Sequence, residues 1–175
     1  MQLEGIHHVS SITGDAPGNV DFYVRVLGMR LVKKTVNQDD TSVYHLFYGD
    51  EVGSPGFDMT FFEYPGARRG RAGAGMVHTV AFRVADGAAL DFWAERLRGE
   101  GIGSERVAGA DGADTLRFAD PEGLTLELIA EDVPDAPLVP DAPDIPPEHA
   151  LRGFAGVRAY TTDPERSRPV LERSL

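Results

Sequence analysis

Four side chains in this sequence have the types and placement to hold a metal ion together: His8, Glu63, His78 and Glu127. Each of two similar stretches carries one of the histidines on its opening apolar run and one of the glutamates on its closing run. Two imidazoles with one or two carboxylates suit iron(II), manganese, nickel or zinc, and leave coordination positions for substrate or water. A carboxylate set against an apolar strand needs a counter-charge, which a divalent cation supplies. Strand alternation sorts the neighbours. His8 shares a face with Ile6, Ser10 and Ile12, while His7, Val9 and Ser11 take the other. Glu63 goes with Met59 and Phe61, and Glu127 lies between Leu126 and Leu128, which would pack on a helix. Any one of the four, taken alone, reads more simply as a hydrogen-bonded core histidine or a solvated strand end. Matching places in a repeat favour the set.

Other groups carry weaker signals. His45, in the aromatic run Tyr44-His45-Leu46-Phe47-Tyr48, could serve as a cavity acid or base or could be plain core. Arg68, Arg69 and Arg71 could meet an anion at a cavity rim or simply decorate a solvated loop. Lys33 and Lys34 alternate faces, so one of them can reach a cavity. Asp120-Pro121-Glu122-Gly123 is a turn leading into the last strand. No phosphate-cradling glycine motif is present.

The elements that must position these groups follow from the pattern of the 175 residues. With 42% apolar and 26% charged residues, the composition is that of a globular domain. There is no cysteine, which removes disulfides, thiolate metal sites and thiol nucleophiles. The net charge of −11 makes nucleic acid and anionic membranes poor partners. No apolar run approaches the length of a membrane span and no signal-peptide pattern opens the chain, so a cytoplasmic protein is expected.

Strand signals at 5–13, 30–37, 42–48 and 57–64 surround a helix that opens at Asp15 and Pro17 and stops at Gly28. The order recurs with strands at 76–84, 104–108, 115–119 and 124–130 around a helix at 87–98. The spacing therefore predicts an α+β fold, in which two βαβββ modules, 1–66 and 75–130, form a cup-shaped, incomplete β-barrel with its helices outside. Residues 131–149 are rich in proline and acid and predict an extended, self-repelling linker. Residues 150–175 open like a third module, with a strand at 154–161 and a helix after Asp163, and are expected to be the truncated start of a second such domain. A homodimer closing exposed module edges is a further expectation.

The stretches GIHHVSSITGDAPGNVDFYVRVLGMRLVKKTVNQDD, SVYHLFYGDEVGSPG and MTFFEYPGA resemble the first domain of hydroquinone-type ring-cleaving dioxygenases. Those enzymes belong to the vicinal oxygen chelate superfamily, with glyoxalase I and the bleomycin-resistance proteins. The resemblance is strongest from Gly5 to Ala67. It implies two such domains per chain, ferrous iron held by two histidines and a glutamate, and insertion of dioxygen into an aromatic diol ring. On this basis His8, the second histidine of the pair, is the first-domain ligand, and His7 assists it. The other two ligands of the dioxygenases lie in the second domain, where GFAGV offers Ala155 and Gly156 in place of a histidine. The set His8, Glu63, His78 and Glu127 instead resembles that of the glyoxalase branch, which needs only two modules. The leading expectation is thus an iron(II) dioxygenase acting with dioxygen on hydroquinone- or catechol-like aromatics. A glyoxalase-type lyase or isomerase, or a non-catalytic resistance-type binding protein, is the alternative.

Overall fold

A computed structural model describes residues 5–109 and 112–173; the first four residues of the expected first module, residues 110–111 and the last two of the expected final helix lie outside the described residues. The first module runs β1 (His8–Thr13), α1 (Ala16–Val20), β2 (Arg30–Val36), β3 (Tyr44–Gly49) and β4 (Asp58–Glu63). The second runs β5 (Val77–Val84), α2 (Gly87–Gly99), β6 (Ser104–Ala108), β7 (Asp114–Ala119) and β8 (Thr125–Ala130). Then come β9 (Phe154–Ala159) and α3 (Pro164–Arg173). The expected α+β architecture of paired modules is the one observed, as two separate sheets rather than a closed barrel.

Each module builds its sheet in the same way. The opening strand pairs in parallel with the closing strand, and the middle strands continue antiparallel, giving the orders β1-β4-β3-β2 and β6-β7-β8-β5. A parallel pair needs a crossover between its strands, and the helix of each module begins that crossover. Asp15 caps α1 by accepting from the Gly18 amide, and Asp86 caps α2 by accepting from the Ala89 amide. Past Val20, α1 widens into a π-helical stretch (Asp21–Val26) that buries Phe22, Tyr23 and Val26. The core lies between helices and sheets. Tyr23 packs 4.8 Å from Phe61 and 5.3 Å from Tyr48, and Leu90, Trp93 and Leu97 of α2 are buried with Val80, Phe82, Leu126 and Leu128.

The proline-rich segment differs from its expectation. It has no helix or strand, but it is not a free spacer, because Ile145 is buried in the core cluster and Leu138, Val139 and Ala142 pack against it. The Trp93 indole N–H donates to the His149 carbonyl at 2.7 Å, and Arg96 pairs with Asp144 at 2.7 Å. Four apolar side chains (Leu138, Val139, Ala142 and Ile145) outweigh the mutual repulsion of its acids. β9 then adds antiparallel to β5, so the opening strand of the tail completes the second sheet as a fifth strand.

Gly28, which ends the first helix, has φ +70°, and a Cβ there would stand 2.4 Å from the Ile145 side chain. Gly28→Ala should therefore strain the backbone and push the proline-rich segment off the core. The expected cost is more than about 1 kcal/mol, read as a lower urea midpoint. An unchanged midpoint would show that the segment does not need this close approach.

Candidate functional site

Residues opposite each other in a paired register share a face of the sheet. In the first module Val9, Ser11 and Thr13 stand with Met59, Phe61 and Glu63 on the face that meets the helix. His8, Ser10 and Ile12 stand with Asp58, Thr60 and Phe62 on the other, and β3 adds His45 and Phe47 to that inner face. Ser10 and Thr60 join by a 2.8 Å hydrogen bond between hydroxyls. Lys33, opposite Phe47 in the register, holds its Nζ 6.0 Å from the Phe47 ring; Lys34 lies over Tyr44 instead, at 4.1 Å.

His8 is exposed at the start of β1, an edge strand flanked by β4 alone among the described residues. Its Nδ1 lies 3.2 Å from Nδ1 of His7, with the two rings edge to face. Simple alternation would separate these two side chains. They meet because His7 precedes the strand and is not held to its pleat. Asp58, opposite His8 in the register, is a group that sequence reasoning missed. Burial raises its carboxyl above the ordinary range, against the pull of His8 and His7. The signal was available in the parity of β4, since Asp58 shares a face with Thr60 and Phe62.

The expected gathering of His8, Glu63, His78 and Glu127 is not found: no three histidine, aspartate or glutamate side chains converge as a metal site among the described residues. Glu63 occupies the helix face, opposite to His8, and its Oε1 accepts the Ala16 amide at 2.9 Å. It anchors the N-terminus of α1. His78 sits where the β5–β9 register shifts, its ring stacked 4.0 Å from Tyr160 and its Nδ1 2.9 Å from the Thr79 hydroxyl. Glu127 is 1% exposed and fully occupied by two arginines. Arg117 donates to its Oε1 from Nε and Nη2 at 3.0 and 2.8 Å, and Arg158 of β9 donates to Oε2 at 2.9 Å.

The registers also correct the equivalence within the repeat. Gly56 and Gly123, with φ +98° and +91°, introduce β4 and β8 at the same point of each module. Counting from them, Thr60 opposes Ser10 as Glu127 opposes Ala81. Thr79 then stands in the place of His8, and His78 in that of His7. The first module keeps the histidine without the glutamate, and the second keeps the glutamate without the histidine. The fault in the sequence reading was an odd offset, one residue for the histidines and three for the glutamates, and either moves a side chain to the other face of a strand.

His45 lies between two phenylalanines, 4.0 Å from the Phe47 ring and 3.9 Å from Phe62. Desolvation lowers its pKa, and His8 and Lys33 add to that, so the imidazole is neutral near pH 7. Its Nε2 is shielded from solvent and has no hydrogen-bond partner. Where the modules meet, the Tyr23 hydroxyl donates to Asp120 at 3.1 Å, and burial raises the pKa of both groups. Glu122 accepts the Gly14 amide at 2.7 Å. The 120–123 turn thus ties the second module to the first. Between the sheets, a cleft of about 320 Å³ runs along β1 past Ile6, His8 and Ser10 to Val80 and Val157. Arg68 and Arg69 line a wider cleft that continues from it.

The chain belongs to the Glyoxalase/Bleomycin resistance protein/Dioxygenase superfamily, whose model matches residues 5–128. It is 40% identical over 176 residues to MhqA of Bacillus subtilis (strain 168), provisionally called a ring-cleaving dioxygenase, covering 100% of this chain and 56% of that protein. It is also 40% identical over 157 residues to the chlorohydroquinone/hydroquinone 1,2-dioxygenase of Sphingobium indicum, covering 87% and 48%. A crystal structure of a provisionally assigned dioxygenase from Bacillus subtilis superposes with a TM-score of 0.91 at 37% identity, covering 98% of this chain and 54% of the other. The chain thus spans about half the length of the curated relatives it matches.

Breaking the Glu127–Arg158 pair from one side should cost more than removing both of its members. Arg158→Met is expected to lose roughly 2–4 kcal/mol in urea unfolding, and a Glu127→Met/Arg158→Met pair should recover part of that loss. A pair whose cost equals the sum of its single changes would show that Arg158 and Glu127 are not coupled.

Proposed function

We propose that this chain contributes the histidine-bearing half of a divalent-metal, ring-cleaving dioxygenase that acts on hydroquinone- or catechol-like aromatics. The observation that supports it is His8: an exposed imidazole on an edge strand, oriented by His7, in a chain 40% identical to a hydroquinone 1,2-dioxygenase. The His7–His8 contact engages Nδ1 of His8 and leaves Nε2 outside it, and with His8 Nδ1 as the donor that Nε2 carries the lone pair a metal would take. His7 acts here as a positioning residue.

The described residues do not by themselves fit a metal ion, because His8 has no second and third donor converging on it. Glu63 is committed to α1 and Glu127 to its arginines. The remaining ligands must therefore come from outside the described residues, and the relatives' greater length is consistent with that source. Iron(II) is the metal that dioxygen chemistry calls for, since manganese, nickel or zinc would serve a lyase equally well. The lyase alternative needed its four ligands to meet within two modules, and their dispersal weakens it.

The test is hydroquinone-dependent oxygen uptake by the iron(II)-loaded protein that contains this chain. His8→Ala should lower it more than about 100-fold, whereas Glu63→Gln and His78→Gln should leave it within about threefold. Uptake that survives His8→Ala would refute the assignment.

A further inference from the structure

We propose that Arg68 and Arg69 form an anion subsite in the cleft that starts at His8, so that the ring ligand of this cleft is a hydroquinone carrying a carboxylate. This inference rests on the dioxygenase reading for the ring and adds the charge of its substituent. The cleft of about 320 Å³ beside His8 and the wider one of about 690 Å³ lined by Arg68 and Arg69 share Ser10, Ser11, Val77 and Leu124 as walls. They are therefore one continuous channel. From His8 to Ser10 and Ser11, where the wider part begins, β1 advances about 7–10 Å. A ring with its hydroxyls at His8 covers most of that length, and its carboxylate then enters the part that the arginines line.

Both guanidinium groups lack a protein partner. Among the described residues no carboxylate forms an ion pair with Arg68 or Arg69, and neither side chain donates a hydrogen bond. This holds in a chain with 28 acids, two of which, Asp120 and Glu122, line the same cleft. Those acids are engaged elsewhere. Asp120 accepts the Tyr23 hydroxyl and the amides of Glu122 and Leu124, and Glu122 accepts the Gly14 amide. The Arg69 guanidinium nonetheless has a defined seat against Gly123, where a Cβ would overlap it. Glycine at that point of the turn leaves the room the side chain takes. A net charge of −11 disfavours anionic ligands in general, and two unpaired cations reverse that locally. A guanidinium offers a planar fork of donors that matches the two oxygens of a carboxylate. A neutral ring gains nothing from this end of the cleft, so the subsite selects by charge.

The experiment titrates the 175-residue chain, without metal and under argon, with 2,5-dihydroxybenzoate and with its methyl ester, which keeps the ring and removes the charge. The acid should bind about tenfold more tightly than the ester at low salt, and the preference should shrink as salt is raised. Arg68→Gln with Arg69→Gln should bring the acid down to the affinity of the ester and leave the ester unchanged. Arg69→Lys, which keeps the charge without the fork, should retain part of the preference. Arg71→Gln, on the same loop but outside the cleft lining, should retain all of it. Equal binding of acid and ester, no binding of the acid, or a loss with Arg71→Gln as large as with the paired change would overturn the proposal. Failure of the dioxygenase reading would show differently, as charge-selective binding in an iron(II)-loaded protein that consumes no oxygen with hydroquinone or with the acid.

Discussion

The parallel pairing of the first and last strand in each module governs everything built on it. It fixes which residues lie opposite one another, and so assigns every side chain of four strands to the helix or to the cup. Met59, Phe61, Leu126 and Leu128 go to the helices and are fully buried. His8, Thr60, Ala81 and Glu127 go to the inner faces. The glycines before β4 and β8 hold this register in both modules with the same left-handed turn.

On that shared frame the two modules have diverged. The inner face of the first is open, with His8 exposed and His45 set between aromatic rings. The second has filled the corresponding space with charge, since Glu127 meets two guanidinium groups at hydrogen-bond distance. A buried carboxylate requires a positive partner, and either a metal ion or arginine can supply it. Here Arg158 also fastens β9 across β5 to the concave side of β8, so the ion cluster ties together three strands that are distant in sequence. The first sheet has no counterpart to β9 among the described residues, which leaves β1 as an edge that carries the exposed His8.

Much of the fold was legible in the sequence because hydrophobic period and turn residues repeat along the chain. Asp15 with Pro17, Gly28, and the strand-helix order of both modules all correspond to observed elements. The proline-rich segment was misjudged as free because its four apolar side chains are scattered among acids, and only the packed structure shows that they share a surface. The candidate site was legible in part. His8 stands out as the second of a histidine pair, but the pairing of His8 with His78 failed on a one-residue offset. Thr79, in fact, occupies the place of His8. Glu63 shares its parity with the buried Met59 and Phe61, and that alone places it on the helix side. Arg117 lies opposite Glu127 on the adjacent strand, but the second partner of Glu127 is not legible, because Arg158 lies 31 residues away on a strand that pairs only in the folded molecule.

The central claim is that the first module holds the open ligand and the second is closed by arginine. Anomalous diffraction at the iron edge, from crystals of the protein loaded with iron(II), tests it most directly. The account predicts a peak at coordination distance from Nε2 of His8 and none beside Glu127. A peak bound by Glu127 and His78, with Arg158 swung away, would contradict it.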